Sequence, residues 1–139
     1  MKSSLQPGLT AQHYFTVPAS KTVPALYPEA PEFQVMPAVF ATGYLVGLLE
    51  WACIRLINPH LDGPAEQSLG THIDVSHQAA TPVGLTVTAT VTLLQIDGQR
   101  LRFSVEAHDG IDLVASGEHE RFIIDRKRFD DKVAAKASA

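Results

Sequence analysis

From Leu85 to Leu93 the chain alternates with period two: Leu85, Val87, Ala89, Val91 and Leu93 interleave with Thr86, Thr88, Thr90 and Thr92. That is the pattern of a strand with one face buried. A second alternating run sets Leu101, Phe103, Val105 and Ala107 against Arg100, Arg102, Ser104 and Glu106. A third runs from Ile111 to about Ile124, with a bulge expected near Gly117. Asp97-Gly98 and Asp109-Gly110 separate the runs, and this dipeptide supplies the positive φ angles of tight hairpin turns. The second half of the chain therefore predicts an antiparallel meander.

The first half reads differently. From Ala38 to Ile57 apolar residues fall nearly all the way round a helix, until Asn58-Pro59 stops it. A helix so apolar must be wrapped by other structure. Before it, His13 to Val17 and Lys21 to Tyr27 read as short extended pieces ended by proline. The proline-rich stretch from Tyr27 to Pro37 forbids a regular element and predicts a loop that packs Phe33 and Met36 inward and can serve as a lid. Leu61 to Ser68 reads as a plain loop, residues 1–10 and 130–139 read as frayed tails of a single domain spanning 1–139, and the Ala/Lys tail after Phe129 reads as frayed or weakly helical. One early buried helix followed by antiparallel strands gives an α+β fold, a curved antiparallel sheet wrapped around one long central helix. Such a sheet leaves an edge strand, and pairing it with a second copy satisfies its backbone, so a homodimer is expected.

Composition narrows the classes of partner. A formal net charge of -4 offers no general attraction for nucleic acid or an anionic membrane. The apolar stretch is long enough to span a bilayer, but it holds Glu50 and Arg55, which lipid penalises. The single cysteine, Cys53, cannot form an intrachain disulfide and fits a reducing compartment, and Met1 to Thr10 lacks the features of a secretion signal. A cytoplasmic location follows as the expectation.

Glu50 is the only carboxylate between Ala38 and Asn58. Buried and unpaired it would be costly, so it is either a structural ion-pair member, with Arg55, Arg102 or Arg121 as partner, or a functional group. Gly43 and Gly47 share its helical face, leaving a gap that can admit a substrate or simply allow close packing. His77 falls on the same strand face as Ile73 and Val75, pointing at the core, with His72 on the opposite face. There it is either a satisfied core histidine or a proton carrier near neutral pH. Thr42 lies about 12 Å along the helix axis from Glu50, too far for direct contact. It either bonds back within its helix or joins the site through His77 or a second chain. Cys53 shows no sign of activation. His13, His60, His108 and His119 have no ligand spacing, so no metal site is expected.

Taken together, Lys21-Thr22-Val23, Leu26-Tyr27-Pro28-Glu29, Phe40-Ala41-Thr42-Gly43, Val46-Gly47-Leu48, Glu50-Trp51-Ala52-Cys53, Ser68-Leu69-Gly70-Thr71, Ala79-Ala80-Thr81-Pro82 and Ala107-His108-Asp109-Gly110 resemble the fluoroacetyl-CoA thioesterase type of the hot-dog thioesterases. The resemblance runs from roughly His13 to Arg121. It implies a dimeric acyl-CoA thioesterase with catalytic Thr42, Glu50 and His77. It also implies an arginine near the acyl pocket at Arg121, backbone approach to the acyl group at Gly70, and Val23, Leu26 and Phe33 lining the lid side. CoA is then part of the substrate, and no separate cofactor is implied.

At one position the sequence departs from that pattern. Where the fluoroacetyl-specific type has an aromatic gate before the helix, this chain has Met36, a flexible thioether. The expectation is thus hydrolysis of a short acyl-CoA, fluoroacetyl-CoA or a related small thioester. Two other readings stand beside it: a hot-dog hydratase or dehydratase acting on acyl thioesters, and a non-catalytic acyl-CoA binding module in which Glu50 is only a paired core charge.

Overall fold

The computed structural model describes residues 1–139. In chain order the elements are β1 (Thr10–Thr16), α1 (Pro31–Gln34), α2 (Thr42–Ile57), β2 (Glu66–His77), β3 (Thr86–Asp97), β4 (Arg100–His108), β5 (Leu113–Asp125) and α3 (Arg126–Ala137). The five strands form one sheet, ordered β1-β3-β4-β5-β2, and every neighbouring pair is antiparallel. The predicted meander is β3-β4-β5, with Gly98 and Gly110 at positive φ in its turns. β1 and β2 are the sheet's two edges.

The alternation read from sequence sets which face is buried. Val87, Ala89, Val91 and Leu93 of β3 and Leu101, Phe103, Val105 and Ala107 of β4 are all buried beneath α2. From the helix, Leu45, Leu48, Leu49, Ala52, Cys53, Leu56 and Ile57 complete the core. Each fully buried large side chain contributes roughly 1.5–3 kcal/mol, which holds the helix at a fixed height and rotation over the sheet. The opposite face of α2 is uncovered: Thr42, Gly43, Gly47 and Trp51 are exposed, Trp51 by 45%.

Several local expectations are corrected. The helix begins at Thr42 rather than Ala38, because Val39 and Phe40 form isolated bridges with Pro82 and Thr22. Lys21 to Tyr27 is not extended but coils into 3-10 turns at Ala19–Lys21 and Val23–Ala25, favoured by Pro24 at a first-turn position. The lid segment contains the short α1, started by Pro31. No register shift occurs at Gly117 itself; β5 bulges three residues earlier, where Ala107 pairs with Ala115 and His108 with Leu113 so that Val114 is extra, and β2 bulges across the ladder between Gly70 and His72, leaving Thr71 without a register partner. The ends are ordered. Leu5 is buried, the Met1 ammonium bonds to Asp62 and Glu66, and α3 is capped by the Asp125 side chain accepting from Arg128 N–H.

Candidate active site

β2 and β5 pair so that Ser68 lies opposite Ile123, Gly70 opposite Arg121, Ile73 opposite His119 and His77 opposite Ala115. Because side chains alternate across a strand, Arg121, His119 and Ile123 of β5 share the face beneath α2. The bulge allows Gly70, on one side of it, and Ile73, Val75 and His77, on the other, to share that face too.

Glu50 hangs from α2 above this strand pair. Its Oε2 accepts from Arg121 Nη1 at 2.9 Å, while Oε1 makes no hydrogen bond. Arg121 is itself fixed: Nε donates to Ser68 Oγ at 2.8 Å and Nη2 to the Ser68 carbonyl at 2.9 Å. Of the three arginines weighed as ion-pair partners, Arg121 is the one that engages Glu50. Arg102 pairs with Glu118, and Arg55 lies beside His13. The guanidinium is 3% exposed and the Glu50 side chain 37%. The pair is therefore half open, and beside it lies a cavity of about 370 Å³ bounded by Val46, Glu50, Gly70 to Ile73 and His119.

Gly70 is what brings strand and carboxylate together. A Cβ built there would lie 2.5 Å from Glu50 Oε2, 3.2 Å from His119 Cε1 and 3.4 Å from Arg121 Nη1. His119 is buried, its Nδ1 2.7 Å from the His72 carbonyl and its Nε2 3.1 Å from Arg121 Nη1. Burial pushes its pKa below the ordinary histidine value, and the neighbouring Arg121 acts in the same direction. This residue was set aside in the sequence for lacking ligand spacing, yet alternation along β5 puts it on the same face as Arg121.

Thr42 and His77 form a second group. Thr42, the first residue of α2, has its Oγ1 2.7 Å from His77 Nδ1. Burial lowers the His77 pKa, and its Nε2 is enclosed without a partner. Eight residues of helix, about 12 Å, separate Thr42 from Glu50. Neither Thr42 nor His77 borders the Glu50 cavity.

The lid residues gather at the Thr42 end. A Cβ on Gly43 would touch Leu26 Cδ1 at 3.4 Å, so Leu26 borders the gap expected at Gly43, whereas nothing lies within 4 Å of a Cβ on Gly47. Phe33 stacks on Tyr27 with ring centroids 5.8 Å apart, and Val23 is half-buried. Met36 does not pack inward as expected; it is 50% exposed, because the turn closed by its N–H on the Phe33 carbonyl carries it outward.

Burial also raises the Cys53 thiol to about 12, which suits a core residue and not a nucleophile. Arg126 and Lys127 pair with Asp130 and Asp131 one helical turn on. No group of three or more His, Cys, Asp or Glu side chains is arranged to hold a metal ion. No helix is long and apolar enough to cross a membrane.

Chemically, the arrangement presents a carboxylate with one oxygen anchored and the other free at a cavity edge, and separately a hydroxyl-imidazole pair. Comparison with known proteins bears on what that combination is for. A family model described as fluoroacetyl-CoA-specific thioesterase (FlK) matches residues 21–127. The fluoroacetyl-CoA thioesterase of Streptantibioticus cattleyicolor is 52% identical over 139 residues, spanning 100% of this chain and 99% of that protein. A crystallised mutant of the fluoroacetyl-CoA-specific thioesterase FlK in complex with fluoroacetate and CoA superposes with a TM-score of 0.87 at 54% identity, over 90% of this chain and 99% of that one. A thioesterase superfamily member from Thermus thermophilus, only 23% identical, superposes with a TM-score of 0.86 over 98% of this chain and 96% of its own, which supports the hot-dog fold alone. The chain belongs to the fluoroacetyl-CoA-specific thioesterase family and is a thioester hydrolase.

Proposed function

We propose that this protein hydrolyses a short acyl-CoA, fluoroacetyl-CoA or a related small acyl thioester, to the free acid and CoA, with Glu50 as the reacting carboxylate. The observation that carries this is the division of labour between its two oxygens: Arg121 holds Oε2, and Oε1 is left free at the mouth of a cavity. A carboxylate used only as a structural counter-ion would have no need of the open space. From this position Glu50 either attacks the thioester carbonyl or takes a proton from the attacking water. In both routes charge develops on the carbonyl oxygen, and backbone N–H groups around Gly70 are suited to receive it. The relative's complex with fluoroacetate and CoA supports the substrate class. The exposed thioether of Met36 at the lid favours tolerance of several small acyl groups.

Thr42 and His77 are assigned the proton and hydrogen-bond work, and their distance from Glu50 points to a homodimer. The outer edge of the twelve-residue β2 is unpaired within the chain, and Ile73 is 39% exposed. Antiparallel pairing of two β2 edges about a twofold axis moves the His77 end of one strand toward the Gly70 end of the other. Thr42 and His77 of one protomer then meet Glu50 of its partner. The reading calls for no cofactor and places the enzyme in the cytoplasm, consistent with its buried free thiol.

Two inactive variants test both points. Glu50→Gln and Thr42→Ala should each abolish thiol release while remaining folded dimers. Mixed in equal amounts after subunit exchange, they should recover roughly a quarter of wild-type activity, because half the dimers carry one intact site. Retained turnover in Glu50→Gln removes Glu50 from the mechanism. No recovery on mixing refutes the shared site.

A further inference from the structure

His119 sits in the wall of the Glu50 cavity, two residues before Arg121 on β5, and is 2% exposed. Its Nδ1 lies 2.7 Å from the His72 carbonyl oxygen, which can only accept, so Nδ1 carries the proton. The neutral ring then has its lone pair on Nε2. At 3.1 Å from that atom is Arg121 Nη1, which can only donate. The two neighbours thus dictate the same tautomer. Both hydrogens of Nη1 are accounted for, one to His119 Nε2 and one to Glu50 Oε2. Ser68 restrains the other edge of the guanidinium through Nε and Nη2. The ring plane of His119 is in turn held against Phe103, with centroids 6.2 Å apart and planes 26° from parallel.

We propose that His119 is a positioning residue for hydrolysis: as the Nδ1–H tautomer it orients Arg121 Nη1 through Nε2, so that the guanidinium presents its remaining hydrogen to Glu50. The proposal deepens the assignment of Glu50 as the reacting carboxylate and rests on it. A core histidine that only fills space could be replaced by a ring of similar size; a positioning histidine could not, because the acceptor is what matters.

Three substitutions separate these roles. His119→Phe keeps the ring and loses the acceptor. His119→Asn keeps a donor near the Nδ1 position and does not reach Arg121. His119→Gln returns an oxygen acceptor near the Nε2 position. Thiol-release kinetics with acetyl-CoA and fluoroacetyl-CoA should show kcat lowered roughly tenfold in the Phe and Asn variants, the loss of one charge-assisted hydrogen bond, with KM little changed. His119→Gln should recover most of that loss. A Phe variant with wild-type kcat, or Gln and Phe variants equally impaired, overturns the proposal. Independently of any variant's folding, nitrogen NMR of the wild-type protein near neutral pH should find His119 protonated at Nδ1 and bare at Nε2; the reverse tautomer or an imidazolium overturns it as well. Glu50→Gln run alongside separates the two failures. Turnover by that variant defeats the catalytic reading itself, whereas a dead Glu50→Gln beside a fully active His119→Phe defeats the positioning role alone.

Discussion

Replacing Gly70 by alanine adds one methyl group at the point where three elements converge. The new Cβ would stand 2.5 Å from Glu50 Oε2, against about 3.4 Å for an ordinary contact. The carboxylate must therefore retreat by about 0.9 Å, the difference between these two distances. Arg121 Nη1 and His119 Cε1, at 3.4 and 3.2 Å from the same Cβ, leave little freedom on the other sides. The three distances place that retreat nearly perpendicular to the 2.9 Å bond to Arg121, so the bond stretches only to about 3.2 Å and bends. The charge-assisted bond is thus weakened rather than broken, while a misplacement of the carboxylate near 1 Å can itself cost up to about a hundredfold in rate. The obstructing atom is the far end of a flexible side chain, so the fold should yield locally and survive. We expect kcat/KM for thiol release to fall about ten- to a hundredfold, with the melting temperature within a few degrees of wild type. Wild-type turnover in Gly70→Ala would show that the position of Oε2 is not under the constraint argued here.

Two further predictions concern stability. Gly117 faces β2, and a Cβ there would collide with the Asp74 carbonyl oxygen and stand 2.8 Å from Val75 Cα. Backbone cannot swing aside as a side chain does, so Gly117→Ala should destabilise the protein by about 1–3 kcal/mol in denaturant unfolding, and an unchanged midpoint would refute the close approach. The second concerns acid. His13, His77 and His119 are each held below the ordinary histidine value of 6.5, in every case first by burial. Unfolded histidines take up protons before these do, so the stability carried by the neutral rings is complete above about pH 6.5 and is lost as pH falls through the lower folded values. Melting temperature should decline across that window and decline less in His77→Gln; identical slopes for the two proteins would exclude His77 from the effect.

The sheet was legible because its information is local and repetitive. The Thr/apolar alternation of β3 and the Asp-Gly turns each determine structure within a few residues, and β3, β4 and β5 lie where alternation puts them. The segment before α2 is less legible, because two 3-10 turns within the seven residues from Ala19 to Ala25 leave no periodic trace. The bulges are only partly legible for a related reason. Gly117 carries the visible signal, a glycine within a strand, but its role is to admit the Asp74 carbonyl; the extra residue of β5 is Val114, and the extra residue of β2 is Thr71. At the site, Glu50 stood out as a carboxylate in an apolar helix, and the Arg121 pairing was among the partners weighed. His119 has no metal-ligand spacing to mark it, and its place at the site follows only from the strand face it shares with Arg121. The final helix was readable in principle from the Asp125 cap and the Arg126–Asp130 and Lys127–Asp131 pairs, four residues apart.

The unmatched residue in β2 has a consequence for how the chemistry can be dissected. Thr71 is surplus to the ladder, so excising it would leave Gly70 opposite Arg121 and Ile73 opposite His119 while straightening the strand. Glu50, Arg121 and His119 would keep their neighbours, and what would vanish at the cavity rim is one peptide unit together with the Thr71 side chain, whose hydroxyl donates to the Glu120 carbonyl. Main-chain contributions to a reaction usually escape mutagenesis, since substitution alters side chains alone. Here a one-residue excision, compared with Thr71→Gly, offers a way to weigh the peptide unit apart from its side chain.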